Sequence, residues 1–71
     1  MEQYTVYFNP SDYPGEYVVR RFVISGMNIL QDKDIWARRQ TLEEARKTIP
    51  RTQALMARHP SDDPVIVEVW I

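Results

Sequence analysis

The residues of this sequence with the most reactive side chains stand close together in the stretch from His59 to Asp63. A serine, a histidine and an aspartate are the residue types of a hydrolytic triad, in which the histidine takes the proton of the serine hydroxyl. Here His59, Ser61 and Asp62 are near neighbours in one turn, where side chains seldom converge on that geometry. The pattern favours a surface turn, and we predict no catalytic residue.

Acidic residues offer a second kind of chemistry, which is the binding of a cation. Asp12 lies in the Pro-Ser-Asp-x-Pro pattern of positions 10–14, and Asp62 and Asp63 lie in its repeat at positions 60–64. The three carboxylates can meet only if the strands beside the two loops are antiparallel. They lack the oxygen spacing of a calcium loop, and one histidine without any cysteine is a poor transition-metal site. We interpret the repeat as a turn used twice and predict no metal and no cofactor.

Basic side chains form a third group, and they surround a predicted helix. Nine basic and four acidic residues lie between Arg20 and Arg58, although the net charge of the chain is −1. Such a patch can contact phosphates while aromatic rings stack on single-stranded bases. The simpler interpretation is a solvated helix face with internal ion pairs. A nucleic-acid-binding or regulatory protein is therefore our alternative hypothesis, through Arg38, Arg39, Arg46, Lys47, Arg51 and Arg58.

The composition indicates one soluble domain that spans residues 1–71. Hydrophobic residues make up 44% and charged residues 27% of the 71 residues, which is typical of a folded globular chain. There is no cysteine, so packing must supply the stability. Gly15 and Gly26 are the only glycines, which excludes a glycine-rich phosphate loop. We expect a protein that is not an enzyme, is cytoplasmic and has no membrane segment.

Alternating apolar and polar residues predict a hairpin at the start of the chain. Residues 4–8 and 17–24 are rich in aromatic and β-branched side chains, and a loop with two prolines separates them. The second strand is apolar on both faces apart from Arg20 and Arg21, which suits a central position. Residues 25–28 have turn chemistry, and residues 35–38 predict a short third strand, with residues 29–30 as a possible addition.

Thr41 and Glu44 have the spacing of a capping box and predict that a helix begins at Thr41. Leu42, Ala45 and Ile49 lie on one face of that helix, which should end or kink at Pro50. Residues 52–58 contain good helix formers and predict either one or two further helical turns or an irregular cover.

Residues 65–71 form the clearest strand of the sequence. Val65, Val67, Val69 and Ile71 predict an inward face under the helix, with Ile66, Glu68 and Trp70 on the other face. Because an open edge of valine and isoleucine pairs readily with another molecule, this strand should lie beside the first strand or meet its counterpart in a dimer. The predicted fold is α+β with the order β-β-β-α-β, a mostly antiparallel sheet of three to four strands and one short helix on one face.

The outer face of this sheet is the leading candidate for function. Exposed apolar and aromatic patches mark contact surfaces, although the loops at 25–34 and 50–64 could also fold over this face. We predict a protein-interaction module that binds a protein partner or itself, as a possible homodimer. On this hypothesis Trp70→Ser dissolves the dimer. The predicted contact residues are Ile66, Trp70, Tyr7, Tyr17 and Trp36.

Overall fold

The fold is built on one antiparallel sheet of six short strands and a single turn and a half of helix. The structure is a computed structural model, and it describes residues 1–56 and 64–71. The strands are β1 (Glu2–Phe8), β2 (Tyr17–Ser25), β3 (Asn28–Gln31), β4 (Ala37–Arg39), β5 (Leu55–Met56) and β6 (Ile66–Trp70), and the helix is α1 (Leu42–Lys47) between β4 and β5. The predicted antiparallel sheet with one short helix is confirmed. The predicted three to four strands are too few, because six are present among the described residues.

The strand order in the sheet is β3-β2-β1-β6-β5. β4 lies on the same side of β2 as β3, but it pairs with the first residues of β2 whereas β3 pairs with the last. All pairings are antiparallel. The predicted central position of the second strand is confirmed, since β2 pairs with β1 on one side and with β3 and β4 on the other. The last strand lies beside the first, as one of its two predicted alternatives required.

The loop between β1 and β2 is held by a turn over the first Pro-Ser-Asp-x-Pro segment. The Tyr13 N–H donates to the Pro10 carbonyl at 3.0 Å, which closes this turn. Asn9 has a φ of 56°, in the left-handed region that asparagine tolerates, and its Oδ1 accepts from the Gly15 N–H at 2.7 Å. This copy of the repeat is therefore a turn, as predicted.

A tight turn joins β2 to β3 and makes β3 longer than the partial strand predicted from residues 29–30. Gly26 has a φ of 58° and Met27 does not have a positive φ, which is the pattern of a type II′ hairpin turn. The register pairs Ser25 with Asn28 and continues to Phe22 and Gln31. The predicted strand at 35–38 is present one or two residues later, as β4.

The helix begins where its cap predicts. The Thr41 hydroxyl accepts from the Glu44 N–H at 3.2 Å, so Thr41 is the N-cap. Ala45 and Ile49 are buried and Leu42 packs beside them, as the predicted apolar face requires. No helix in the described part of the chain is long and apolar enough to cross a membrane.

Residues 51–56 are not helical, which corrects one of the two predictions for this segment. Ala54 exchanges both backbone hydrogen bonds with Ile71, at 2.6 and 2.9 Å, and Leu55 lies opposite Trp70. Pairing with the last strand therefore overrides the helix propensity of these side chains. Residues 57 and 58 of the same prediction lie outside the described residues.

The core lies between α1 and one face of the sheet. Residues directly opposite each other in neighbouring strands share a face, and successive residues alternate between faces. The face that α1 packs on is the covered face, and the opposite one is the open face. The buried apolar side chains of the cluster under the helix are Tyr4, Val6, Val19, Ala37, Ala45 and Ile49.

Candidate functional site

The open face is the candidate functional surface, because no helix or strand of residues 1–56 and 64–71 packs across it. Its positions follow from the register. Thr5 lies between Arg20 on one neighbouring strand and Val69 on the other, and the same alternation continues outward to β3 and β5. The apolar and aromatic side chains that it carries are Tyr7, Val18, Phe22, Ile24, Ile29, Met56, Ile66 and Val69.

Burial on the open face falls from the centre to the margins. Thr5 and Val18 are buried at the centre. At the margins Ile29 is 67% exposed and Met56 is 45% exposed. The apolar side chains of this face that a partner can reach therefore lie toward its margins, and grouped exposed apolar residues mark contact surfaces.

A cleft of about 550 Å³ opens on the same face beside the loop that follows β1. Tyr7 and Val18 form its floor, and Pro10 lies on its rim. Its cation, Arg20, lies 3.4 Å from the Asp12 carboxylate, which offsets the charge. The cleft is therefore mainly apolar and has no concentration of charge for a small ionic ligand.

The five predicted contact residues do not share one face, which corrects the sequence prediction. Tyr7 and Ile66 lie opposite each other on the open face. Trp70, by contrast, is paired with buried Tyr4 and packs against the cluster under the helix, as Tyr17 does. Trp36 lies on the covered side as well. The structure thus brings two of the five together and separates the other three from them.

Glu68 and Trp70 lie on the covered face and Val69 on the open face, whereas the sequence predicted the opposite. An ion pair between the helix and the sheet accounts for this difference. Glu68, which is buried, accepts from Arg46 of α1, with its Oε1 2.9 Å from the Arg46 Nε. The Trp70 indole N–H donates to the same carboxylate at 3.3 Å. The Arg46 guanidinium holds the pKa of the Glu68 carboxyl below its ordinary value. A charge expected to point to solvent is therefore satisfied under the helix.

A β-bulge in β6 limits this difference from the prediction to the residues that follow it. Val6 lies opposite Glu68, but Tyr7 lies opposite Ile66, so Val67 is the extra residue. Val67 packs against the helix-side cluster, in agreement with its predicted inward direction. The bulge changes the alternation by one residue and leaves Ile66 on the open face while Glu68 is on the covered face.

Trp36 closes the margin of the covered side instead of standing free for a partner. Its indole N–H donates to the Thr48 carbonyl at the end of the helix, at 2.8 Å. Its ring meets the Tyr4 ring edge to face, with 5.1 Å between the ring centroids. Trp36 is nevertheless 42% exposed, so it retains a solvent-facing edge.

The basic residues of the alternative hypothesis are only partly available to phosphates. Arg38 binds the Glu16 carboxylate at 2.9 Å and lies over the Tyr13 ring, and Arg46 binds Glu68. Arg21 on β2 is likewise held between Glu2 and Asp32, at 2.6 and 3.1 Å. Three cations of the predicted set have no carboxylate partner among the residues that the structure describes, namely Arg39, Lys47 and Arg51. Arg58 lies outside the described residues.

The cation hypothesis for the two Pro-Ser-Asp-x-Pro loops required antiparallel strands beside them, and β1 and β6 are antiparallel. The Phe8 N–H donates to the Val65 carbonyl at 2.8 Å, so the end of β1 and the start of β6 lie at the same end of the sheet. Asp12, in the loop at that end, forms an ion pair with Arg20. Within residues 1–56 and 64–71 no group of three metal-ligating side chains occurs. The hypotheses on residues 59–63 lie outside the described residues.

One exposed feature was not among the predicted sites. The tip of the β2–β3 hairpin carries Met27, which is fully exposed, and then Ile29 and Leu30, of which about two thirds is exposed. The signal in the sequence was a glycine turn followed directly by two aliphatic residues. It indicated a short strand but not that both sides of that strand would be bare.

Comparison with known proteins adds no relative to this picture, since no family model, no curated protein and no solved structure matches the chain.

Proposed function

We propose that the chain is a single small α+β domain that works as a non-enzymatic protein-interaction module, binding a partner protein or a second copy of itself through the open face. The observation that carries the proposal is the set of half-buried and exposed apolar side chains on that face, over which no helix or strand of the described residues packs. The proposal involves no cofactor and no catalytic residue, and it places the protein in the cytoplasm.

The chemistry of the open face supports binding to protein more than to a small charged ligand. Phe22, Ile24 and Ile66 are only half-buried, and Ile29 and Met56 are exposed. Burial of apolar area stabilises an association by roughly 25 cal/mol per Å², so a surface of this kind favours a partner with a matching apolar patch. The contacts we assign to the partner are therefore Tyr7, Ile66 and their open-face neighbours, whereas Trp70 and Tyr17 support the covered side.

Two neighbouring residues of β5 provide a matched test. Met56 points to the open face and Leu55 to the covered face, and the side chains are similarly exposed, at 45% and 51%. Lysine at either position should leave the fold intact. We expect Met56→Lys to weaken association of the full chain with itself, or with a protein captured by it, and Leu55→Lys to have little effect. Sedimentation velocity and paired capture with the two variants measure this.

The proposal fails if the two lysine variants behave alike in both measurements while retaining the circular dichroism spectrum of the original chain. Equal behaviour would show that association, where present, does not use the open face. Loss of the folded spectrum in Met56→Lys alone would instead assign the face to the core.

A second candidate function rests on the three exposed cations Arg39, Lys47 and Arg51. None of the three forms an ion pair with a carboxylate of the described residues, so their charges are available to phosphate groups. Binding of a labelled single-stranded oligonucleotide, measured by fluorescence anisotropy at several salt concentrations, tests it. A phosphate-driven complex weakens with salt by a slope of about 0.7 per phosphate contact on logarithmic axes. The protein-interaction proposal predicts no such binding.

A further inference from the structure

The outer edge of β3 is the most exposed strand edge among residues 1–56 and 64–71. Both Ile29 and Leu30 are about two thirds exposed, on opposite sides of the sheet. No described residue outside β2 pairs with β3. An aliphatic strand with a free edge is a template for a further strand.

The hydrogen bonding of β3 shows which backbone groups are free. The Asp32 N–H donates to the Arg21 carbonyl of β2 at 3.1 Å. Because bonding alternates along an antiparallel pair, Leu30 also bonds toward β2, and the N–H and C=O groups of Ile29 and Gln31 point away from it. The edge thus presents two donors and two acceptors in a row.

The opposite edge of the sheet does not present such a row. β5 has only two residues, and Met56 and Ala54 bond toward the last strand, which leaves Leu55 as the residue that points outward. A very short strand is one of the devices by which proteins blunt an edge. β3, with four residues, is twice as long, and it contains no proline, no charged residue and no bulge.

We propose that the β3 edge pairs antiparallel with the β3 edge of a second copy of this chain. The edge is self-complementary about Leu30. Placing Ile29 of one copy opposite Gln31 of the other creates two pairs that each exchange two N–H···O bonds, and Leu30 meets its symmetry mate. In this register Asp32 lies opposite Asn28 and Lys33 lies opposite Met27, so no like charges face each other.

This pairing deepens the proposed function and rests on it, because it names a second copy as one partner of the module. Ile29 belongs to the open face, so joining two β3 strands makes the open faces of two copies continuous. The Leu30 side chains are covered at the same time, on the other side of the joined sheets.

Proline scanning of the two edges tests the proposal in the full chain. Ile29→Pro removes an N–H that points away from β2, so it should leave the hairpin intact but prevent pairing with a second copy. Two symmetric hydrogen bonds are lost, which implies a dissociation constant for the dimer that is roughly thirtyfold higher. Leu55→Pro is the matched control, because its N–H also points outward but at the other edge. Sedimentation velocity across a concentration series gives both constants.

Hydrogen exchange on the original chain gives an answer that does not depend on how the variants fold. The amides of Ile29 and Gln31 should become protected as the concentration rises, whereas the Leu55 amide should not. A chain that stays monomeric throughout, or a dimer in which the Ile29 and Gln31 amides exchange freely, overturns the edge pairing. A dimer that survives Ile29→Pro but is lost in Met56→Lys also overturns the edge pairing, although it supports the open-face function. A dimer that is lost in Ile29→Pro but survives Met56→Lys supports the edge pairing and not the open-face function.

Discussion

Trp70 and Val69 are neighbours on β6 that face opposite sides of the sheet, and their alanine substitutions should separate the two sides energetically. Truncating a fully buried tryptophan costs about 3–5 kcal/mol through lost contacts and the cavity left behind. Trp70 is half-buried against the helix-side cluster, so we expect Trp70→Ala to lower the free energy of unfolding by about 2–3 kcal/mol. Val69→Ala should lower the free energy of unfolding by less, since Val69 lies on the open face and the apolar surface that is removed there is already partly hydrated.

Urea denaturation followed by circular dichroism measures both effects. A chain of this length should have a total stability of about 4–10 kcal/mol, so the loss in Trp70→Ala is a large fraction of it. The melting temperature should fall by about 10–20 °C, against a few degrees for Val69→Ala. Both variants should retain the m value of the original chain if the denatured state is unchanged.

A larger loss in Val69→Ala than in Trp70→Ala would refute the assignment of the faces. It would restore the alternative in which Val69 lies under the helix. The same reasoning changes the meaning of the Trp70→Ser test of dimerisation. Because Trp70 supports the fold, loss of a dimer in that variant would report unfolding, and substitutions at Met56 and Ile29 are the informative ones.

Three further predictions concern the local devices of the fold. Arg46 lowers the pKa of Glu68 in the folded state, so the ion pair stabilises the fold above about pH 4.5, and this stabilisation is lost as the pH falls through the lower folded-state pKa. Urea midpoints measured between acid and neutral pH should show the loss. Glu68→Gln should make the midpoint less dependent on pH over this range. Gly26→Ala should destabilise the hairpin by about 1 kcal/mol through its positive φ, since its added Cβ meets no atom within 4 Å, and a thermal melt unchanged by it would exclude the type II′ turn. Asn9→Ala should cost about 1–2 kcal/mol, whereas Asn9→Gly should recover the backbone part and leave only the loss of the hydrogen bond to Gly15, as compared by urea denaturation.

The parts of the fold that the sequence predicts are those that local chemistry determines. The Thr41 cap and the apolar positions of α1 are fixed within two turns of chain, and the alternation in β1 and β2 is long enough to be unambiguous. The same holds for the first Pro-Ser-Asp-x-Pro turn. In each case the residues that decide the structure are neighbours in the sequence.

The parts that it does not predict depend on partners far along the chain. Leu55 becomes a strand residue because it pairs with Trp70, although its neighbours favour helix. The periodicity of β6 identifies two faces but not which one the helix covers, and the bulge at Val67 then changes the phase. The decisive contact is the ion pair from Arg46 to Glu68, which spans more than twenty residues and has no local signature.

The dimensions of the helix explain where the remaining apolar surface lies. α1 has six residues and is therefore about 9 Å long, at 1.5 Å per residue. The sheet is five strands wide, and at about 4.8 Å between neighbouring strands it spans about 19 Å. One such helix can cover only the middle strands of one face, so Leu30 on β3 and Leu55 on β5 stay exposed even on the covered side. The unsatisfied apolar surface is thus concentrated on the open face and at the two edges. Since no disulfide supports the small core, the association that we propose through those surfaces would bury them and add to the stability of the chain.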